Sequence, residues 1–161
     1  MRIALFQPDI AANAAAMIRL AACLDVPLTI IEPCGFVWDE RRLRRVGLDY
    51  LRHAALDRVG SFAAFQEARR AGTARLVLLT TRASVPYHGI AYRPDDILLV
   101  GRESSGVPDM VHAVADLRVR VPMAPDRRAL NVVTALAMVL GEALRQTDGF
   151  AEDPAAPSGA A

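Results

Sequence analysis

Leu98-Leu99-Val100-Gly101-Arg102-Glu103-Ser104-Ser105-Gly106-Val107-Pro108 is the stretch on which the fold turns. Three apolar residues run into a Gly-x-Glu-x-x-Gly turn, and Pro108 then opens a predicted helix over 108–114. A buried strand that stops at glycine, in a loop rich in backbone donors, is the usual start of a ligand site in an open α/β sheet. Alone, the two glycines read equally well as a plain tight turn.

The segments on either side favour a sheet. Arg2–Phe6, Pro27–Ile31, Arg75–Leu79 and Asp96–Val100 are short, almost wholly apolar runs. Parallel strands covered on both faces have this composition. Leu117–Val121 alternates apolar and basic residues, as a more exposed strand does. Between the strands, Asn13 is placed to cap a helix carrying Met17, Ile18, Leu20, Ala21 and Leu24. An arginine-rich helix is expected over Asp39–Arg45, and Ser61 caps another to about Arg70, with Phe62, Phe65 and Ala68 on one side. Asn131–Arg145 is long and alanine-rich, and its Val132, Leu136, Val139 and Leu140 call for a partner surface. Strands alternating with helices predict an α/β fold with a mostly parallel sheet flanked by helices. There is no repeat or linker, so residues 1–148 read as one domain and 149–161, rich in Gly, Pro, Ala and Ser, as a disordered tail.

Composition narrows the function. With 161 residues, 53% hydrophobic and 23% charged, the chain is expected to be a single globular, soluble domain. No apolar run has the length of a membrane span, and the N-terminus lacks the layout of a signal peptide. Cys23 and Cys34 have no metal-ligand spacing, which suggests buried reduced thiols and a cytoplasmic location. All 19 basic residues are arginine. They cluster at Arg41, Arg42, Arg44 and Arg45, and again at Arg118, Arg120, Arg127 and Arg128. Such runs suit phosphate contacts or form a solvated helix face.

Several chemistries are disfavoured. His53, His88 and His112 are unpaired with other metal-ligand types, so no metal is expected. Ser104-Ser105 lacks the Gly-x-Ser-x-Gly elbow of a hydrolase. The first strand-to-helix turn lacks Gly-x-Gly-x-x-Gly, and a lysine-free chain has no Walker motif.

Three segments at strand ends remain: Pro8–Leu20, Leu98–Pro108 and Arg120–Ala135. Together they resemble the SPOUT superfamily of knotted methyltransferases, in its SpoU-type 2′-O-methyltransferase branch. The asparagine followed six residues later by arginine is matched by Asn13 and Arg19. Gly-x-Glu-x-x-Gly is matched by Gly101, Glu103 and Gly106, and the third motif by Val121-Pro122-Met123 and Leu130-Asn131. Ile31–Phe36 and Leu43–Tyr50 further resemble the small single-domain enzymes that methylate the tRNA wobble position.

The resemblance implies a C-terminal trefoil knot, a homodimer and S-adenosyl-L-methionine as methyl donor. It also implies transfer to the ribose 2′-hydroxyl of nucleotide 34, cytidine or carboxymethylaminomethyl-uridine, in leucine tRNAs. The alternatives are a SpoU-like enzyme for another tRNA or rRNA site, or a catalytically weak RNA-binding paralogue. Leu79, Gly101, Glu103, Gly106, Val121, Met123 and Ala129 would line the cofactor pocket. Arg19 would be catalytic, oriented by Asn13 and Asn131. Glu103 reads as structural rather than as an acid, and Arg41, Arg42, Arg44 and Arg45 would meet the anticodon stem-loop. Ala129 stands where the family usually has serine, which removes a hydroxyl contact and leaves a backbone one.

Overall fold

A computed structural model describes residues 1–39, 50 and 54–151. In chain order the described elements are β1 (Arg2–Phe6), α1 (Ala11–Cys23), β2 (Leu28–Ile31), β3 (Leu56–Val59), α2 (Phe62–Arg70), β4 (Leu76–Leu79) and β5 (Val85–Pro86). A 3₁₀ turn (Tyr87–Gly89), β6 (Ile97–Val100), α3 (Asp109–Val114), β7 (Leu117–Arg120) and α4 (Val132–Gln146) follow. The strands form one seven-stranded sheet in the order β3-β2-β1-β6-β4-β7-β5. Every pairing is parallel.

The apolar strands are explained by burial on both faces, since successive side chains point to opposite sides. Ile3, Leu5, Leu28, Ile30, Val77, Leu98, Val100 and Val119 meet Met17, Ile18 and Ala21 of α1 and Leu136, Val139, Leu140, Ala143 and Leu144 of α4. On the other face Ala4, Phe6, Ile31, Leu76, Leu78, Ile97 and Leu99 meet Phe62 and Phe65 of α2 and Val107 and Val111 near α3. At the opposite ends of the strands from their C-termini, buried Asp96 accepts from Arg75 Nε at 2.8 Å and Nη2 at 2.7 Å, tying the start of β4 to β6. The same carboxylate accepts from the Arg93 amide at 2.8 Å.

Several local expectations change. Helix α1 starts at Ala11 with Ile10 as its N-terminal cap residue, so Asn13 lies inside the first turn and does not cap it. Ser61 does cap α2, accepting from the Ala64 amide at 3.1 Å. On that helix Ala68 faces solvent and Gln66 is buried in its place. Strands β3 and β5 lack the continuous apolar run of the others because both are edge strands: one is half polar, and the other is two residues long and contains a proline. Cys23 is exposed and Cys34 half-buried, so neither is a sealed core thiol. Burial pushes the Cys34 thiol up, with Glu32 adding to it.

The apolar face of α4 is also reassigned. Leu136, Val139 and Leu140 are buried in the chain's own core, and Val132 is half-buried against it. They therefore need no second chain to leave water. The expected helix over 39–45 lies almost wholly outside the described residues. So do Arg41, Arg42, Arg44, Arg45 and His53, and the tail beyond residue 151. Among the described residues, no helix is long and apolar enough to cross a membrane, and no group of three or more His, Cys, Asp or Glu could hold a metal ion.

Candidate active site

Strands β4, β6 and β7 end side by side, and their C-terminal loops enclose a cavity of about 370 Å³. That lies within the roughly 300–1,000 Å³ range of small-molecule sites. Asn13, Leu79, Gly101, Glu103, Gly106, Val121, Met123, Ala129 and Asn131 all line it. Three segments far apart in sequence thus meet at one place.

The glycine turn is built by two separate constraints. Arg102 and Gly106 exchange both backbone hydrogen bonds, N to O at 3.0 Å and 2.9 Å, which closes the loop on itself. Gly106 sits at φ +66°, the left-handed region that glycine enters without cost. Gly101 answers to space instead. A Cβ there would lie 2.6 Å from the Gly106 carbonyl carbon, 2.8 Å from its oxygen and 2.8 Å from Val107 Cγ1. The turn folds back so tightly that only hydrogen fits.

Glu103 faces the cavity from this turn and is tied to the loop after β1. Its Oε2 accepts from the Asp9 amide at 3.1 Å, while the Glu103 amide donates to Asp9 Oδ1 at 3.0 Å. The Ser104 amide and hydroxyl both donate to Asp9 Oδ2, the amide at 3.4 Å. Glu103 Oε1 is buried with no hydrogen-bond partner among the described residues. Burial pushes the Glu103 carboxyl above the ordinary glutamate range, and Asp9 adds to the rise. The Asn13 amide exerts a weaker opposing pull without bonding to Oε1. Contacts with Glu103, seconded by the Ser104 hydrogen bonds, hold the Asp9 carboxyl down to about 2 against its own partial burial. Of the two carboxyls, Glu103 is therefore the more basic.

Asn131 caps α4, accepting from the Val133 amide at 2.9 Å, and donates through Nδ2 to Asn13 Oδ1 at 3.3 Å. Both asparagines thus hold α1 and α4 together beside the cavity. Arg19 is not among the cavity-lining residues. Six residues along a helix correspond to about 9 Å of rise and about 120° away from Asn13. Its exposed guanidinium lies 5.1 Å from the centre of the Tyr50 ring. Within one chain, Arg19 does not join the two asparagines.

The cavity also has walls that the motifs left unnamed. Thr80 and Thr81 follow β4, Arg102 sits in the turn, and Arg120 ends β7. The threonines follow directly on Leu79, the one residue of that stretch that the resemblance implies in the pocket. Arg120 opens the third of the strand-end segments, but no motif position falls on it. Asp9 carried no signal, because its partners lie 94 and 95 residues away.

A parallel α/β sheet with a tight glycine turn at a cavity built from its strand ends defines a small-molecule-binding domain of the open-sheet class. The chain belongs to the SpoU rRNA Methylase family, which matches residues 1–141. It is 55% identical over 155 residues to a tRNA (cytidine(34)-2′-O)-methyltransferase of Beijerinckia indica subsp. indica, covering 96% of this chain and 97% of that protein. A solved structure concerned with the 2-OH methylation of C/U34 on tRNA superposes with a TM-score of 0.85 at 39% identity, covering 90% of this chain and 94% of that one. The SpoU methyltransferase AviRb from Streptomyces viridochromogenes, in complex with AdoMet, superposes at 0.80 with 26% identity, over 91% of this chain and 60% of that one.

Proposed function

We propose that this chain is an S-adenosyl-L-methionine-dependent tRNA 2′-O-methyltransferase acting on wobble nucleotide 34, cytidine or carboxymethylaminomethyl-uridine in leucine tRNAs, as a cytoplasmic homodimer. The observation that carries the reading is the meeting of all three motif segments at one cavity of about 370 Å³. Kinship along nearly the whole chain with a tRNA (cytidine(34)-2′-O)-methyltransferase supplies the substrate class. The order of the sheet supports the knot: β7 follows β4 and β5 in the chain yet lies between them.

The cavity suits the cofactor. Val100, Val107 and Val119 offer apolar surface for a purine, and the missing side chain at Gly101 brings backbone up to the ligand. Buried Glu103 Oε1 is an acceptor awaiting a donor. Leu79, Gly101, Val121 and Ala129 would hold the cofactor through backbone groups, with Gly106 and Met123 beside them. Bound there, it supplies an electrophilic methyl group.

The chain's own residues then align the ribose hydroxyl and handle charge. Alignment lowers the barrier by several kcal/mol through entropy already lost on binding. Asn13 and Asn131 fix the edge of the site by bonding to each other. Arg19, which lies outside the cavity of its own chain, anchors a phosphate or, presented across the homodimer, stabilises the developing alkoxide. The hydroxyl proton leaves to a phosphate oxygen or water. Arg41, Arg42, Arg44 and Arg45 contact anticodon-stem phosphates, so charge reversal there weakens tRNA binding and flattens its salt dependence.

The test is mass-spectrometric mapping of ribose methylation in tRNA from cells with and without the gene. The 2′-O-methyl mark at position 34 of leucine tRNAs should vanish with the gene. Its persistence there, with loss of a mark elsewhere, would overturn the reading in favour of another RNA site.

A further inference from the structure

We propose that Asp9 is a positioning residue that locks the cofactor-binding turn, and so sets affinity for S-adenosyl-L-methionine without touching the reacting atoms. The inference rests on the methyltransferase reading above. Asp9 does not line the cavity. Its carboxylate instead accepts the Glu103 amide at 3.0 Å, the Ser104 amide at 3.4 Å and the Ser104 hydroxyl. Its own amide holds Glu103 Oε2 at 3.1 Å. One residue therefore fixes two consecutive amides, a hydroxyl and a carboxylate, all in the turn between Gly101 and Gly106.

Asp9 is itself braced from behind. The Gly35 amide donates to Pro8 O at 2.9 Å, and a Cβ on Gly35 would lie 2.6 Å from Asp9 Cβ. Beside it, Arg102 bonds to Gln7 Oε1, and Gln7 Nε2 reaches Glu32 O at 3.3 Å. The ends of β1, β2 and β6 are thereby stitched together, and the turn meets the ligand already ordered. An unlocked turn must be ordered on binding, and that cost appears as lost affinity. The reciprocal contact also decides which oxygen of Glu103 is free. With Oε2 on the Asp9 amide, Oε1 is left buried without a partner among the described residues.

The test uses the full chain carrying Asp9→Ala, Asp9→Asn or Ser104→Ala. S-adenosyl-L-methionine binding is measured by calorimetry, kcat and KM on tRNA by steady-state kinetics, and amide hydrogen exchange over 101–106 without ligand. Both Asp9 variants should raise the cofactor Kd at least tenfold, keep kcat at saturating cofactor within threefold, and speed exchange of the Glu103 and Ser104 amides. Asp9→Asn falls with Asp9→Ala because its amide nitrogen presents a donor to donors. Ser104→Ala should raise Kd by about twofold to fivefold, and adding it to Asp9→Ala should cost little more, since the two share one contact.

Wild-type Kd and wild-type exchange in Asp9→Ala would overturn the proposal, as would a fall in kcat matching the rise in Kd. Should Asp9→Ala not fold, Ser104→Ala decides by the same two readouts. A wild-type chain that binds no S-adenosyl-L-methionine would defeat the underlying methyltransferase reading instead, whatever the exchange data show.

Discussion

The two glycines of the turn are present for different reasons, and alanine at each should therefore fail differently. At Gly106 a Cβ meets nothing within 4 Å, so the penalty is only the φ of +66°. A left-handed non-glycine residue costs about 1–2 kcal/mol, which at about 2–4 °C per kcal/mol for a chain of this size lowers Tm by roughly 2–8 °C. At Gly101 the added carbon would sit 2.6 Å from the backbone carbon of Gly106, which cannot rotate away as a side chain can. Relief requires opening the paired Arg102–Gly106 hydrogen bonds. Two such bonds at about 1 kcal/mol each, plus about 1–3 kcal/mol of overpacking, give about 3–5 kcal/mol. The turn also leaves its place against the cavity, so cofactor affinity should fall by more than tenfold. Thermal unfolding and calorimetry on Gly101→Ala, Gly106→Ala and Gly106→Asn separate the cases, with asparagine the mildest because it tolerates the left-handed region. Equal damage from both alanines, or a Gly101→Ala chain that melts and binds like wild type, would refute the steric argument.

Arg75→Ala leaves the fully buried Asp96 carboxylate without its bidentate partner, which should cost about 3–5 kcal/mol. Chemical denaturation should show the Arg75→Ala, Asp96→Ala double variant losing less than the sum of the two singles. His112 is buried, and burial, then Arg82, hold its imidazole pKa below the ordinary value of 6.5. The unfolded chain thus takes up a proton first, so the His112 contribution is intact above about pH 6.5 and is lost as the pH falls below it. Denaturation midpoints at pH 7.5, 6.0 and 5.0 should fall in that order, less steeply in His112→Gln; an unchanged slope in that variant would remove His112 as the cause. Arg19→Ala should lose methyl transfer while binding S-adenosyl-L-methionine normally, since Arg19 does not line the cavity; wild-type turnover would sink its assigned role.

How far the sequence could be read follows from the range of each interaction. The strands of the sheet centre were legible because burial on both faces leaves a continuous apolar run, as at Ile97–Val100. Edge strand β3 was not, because Asp57 and Arg58 face solvent and break the run. The capping role of Ser61 was legible because its partner amide is three residues away. That of Asn13 was misread for the converse reason. Asn13, another capping-type residue but already inside the first turn, accepts from Asn131 across 118 residues instead of from its own helix end. Apolar periodicity likewise shows that a face of α4 is buried, but not against what. Leu136, Val139 and Leu140 satisfy it within their own chain, so this face gives no argument for a second chain.

The candidate site divides along the same line. Gly101 and Gly106 mark a local constraint, a turn too tight for a Cβ and a φ above zero, so they are readable from a single stretch. Asp9 marks a distant one. Its carboxylate gains meaning only when β1 and β6 lie side by side, as the register from Arg2 opposite Ile97 to Leu5 opposite Val100 requires. That register brings both strands to their C-terminal ends together, and their loops then extend over the same edge of the sheet. The loop after β1 presents a carboxylate, and the turn after β6 presents two amides and a hydroxyl. Topology thus converts two unremarked local sequences into one anchored turn. Among the described residues, the site is held in place by contacts that no motif of adjacent residues could have displayed.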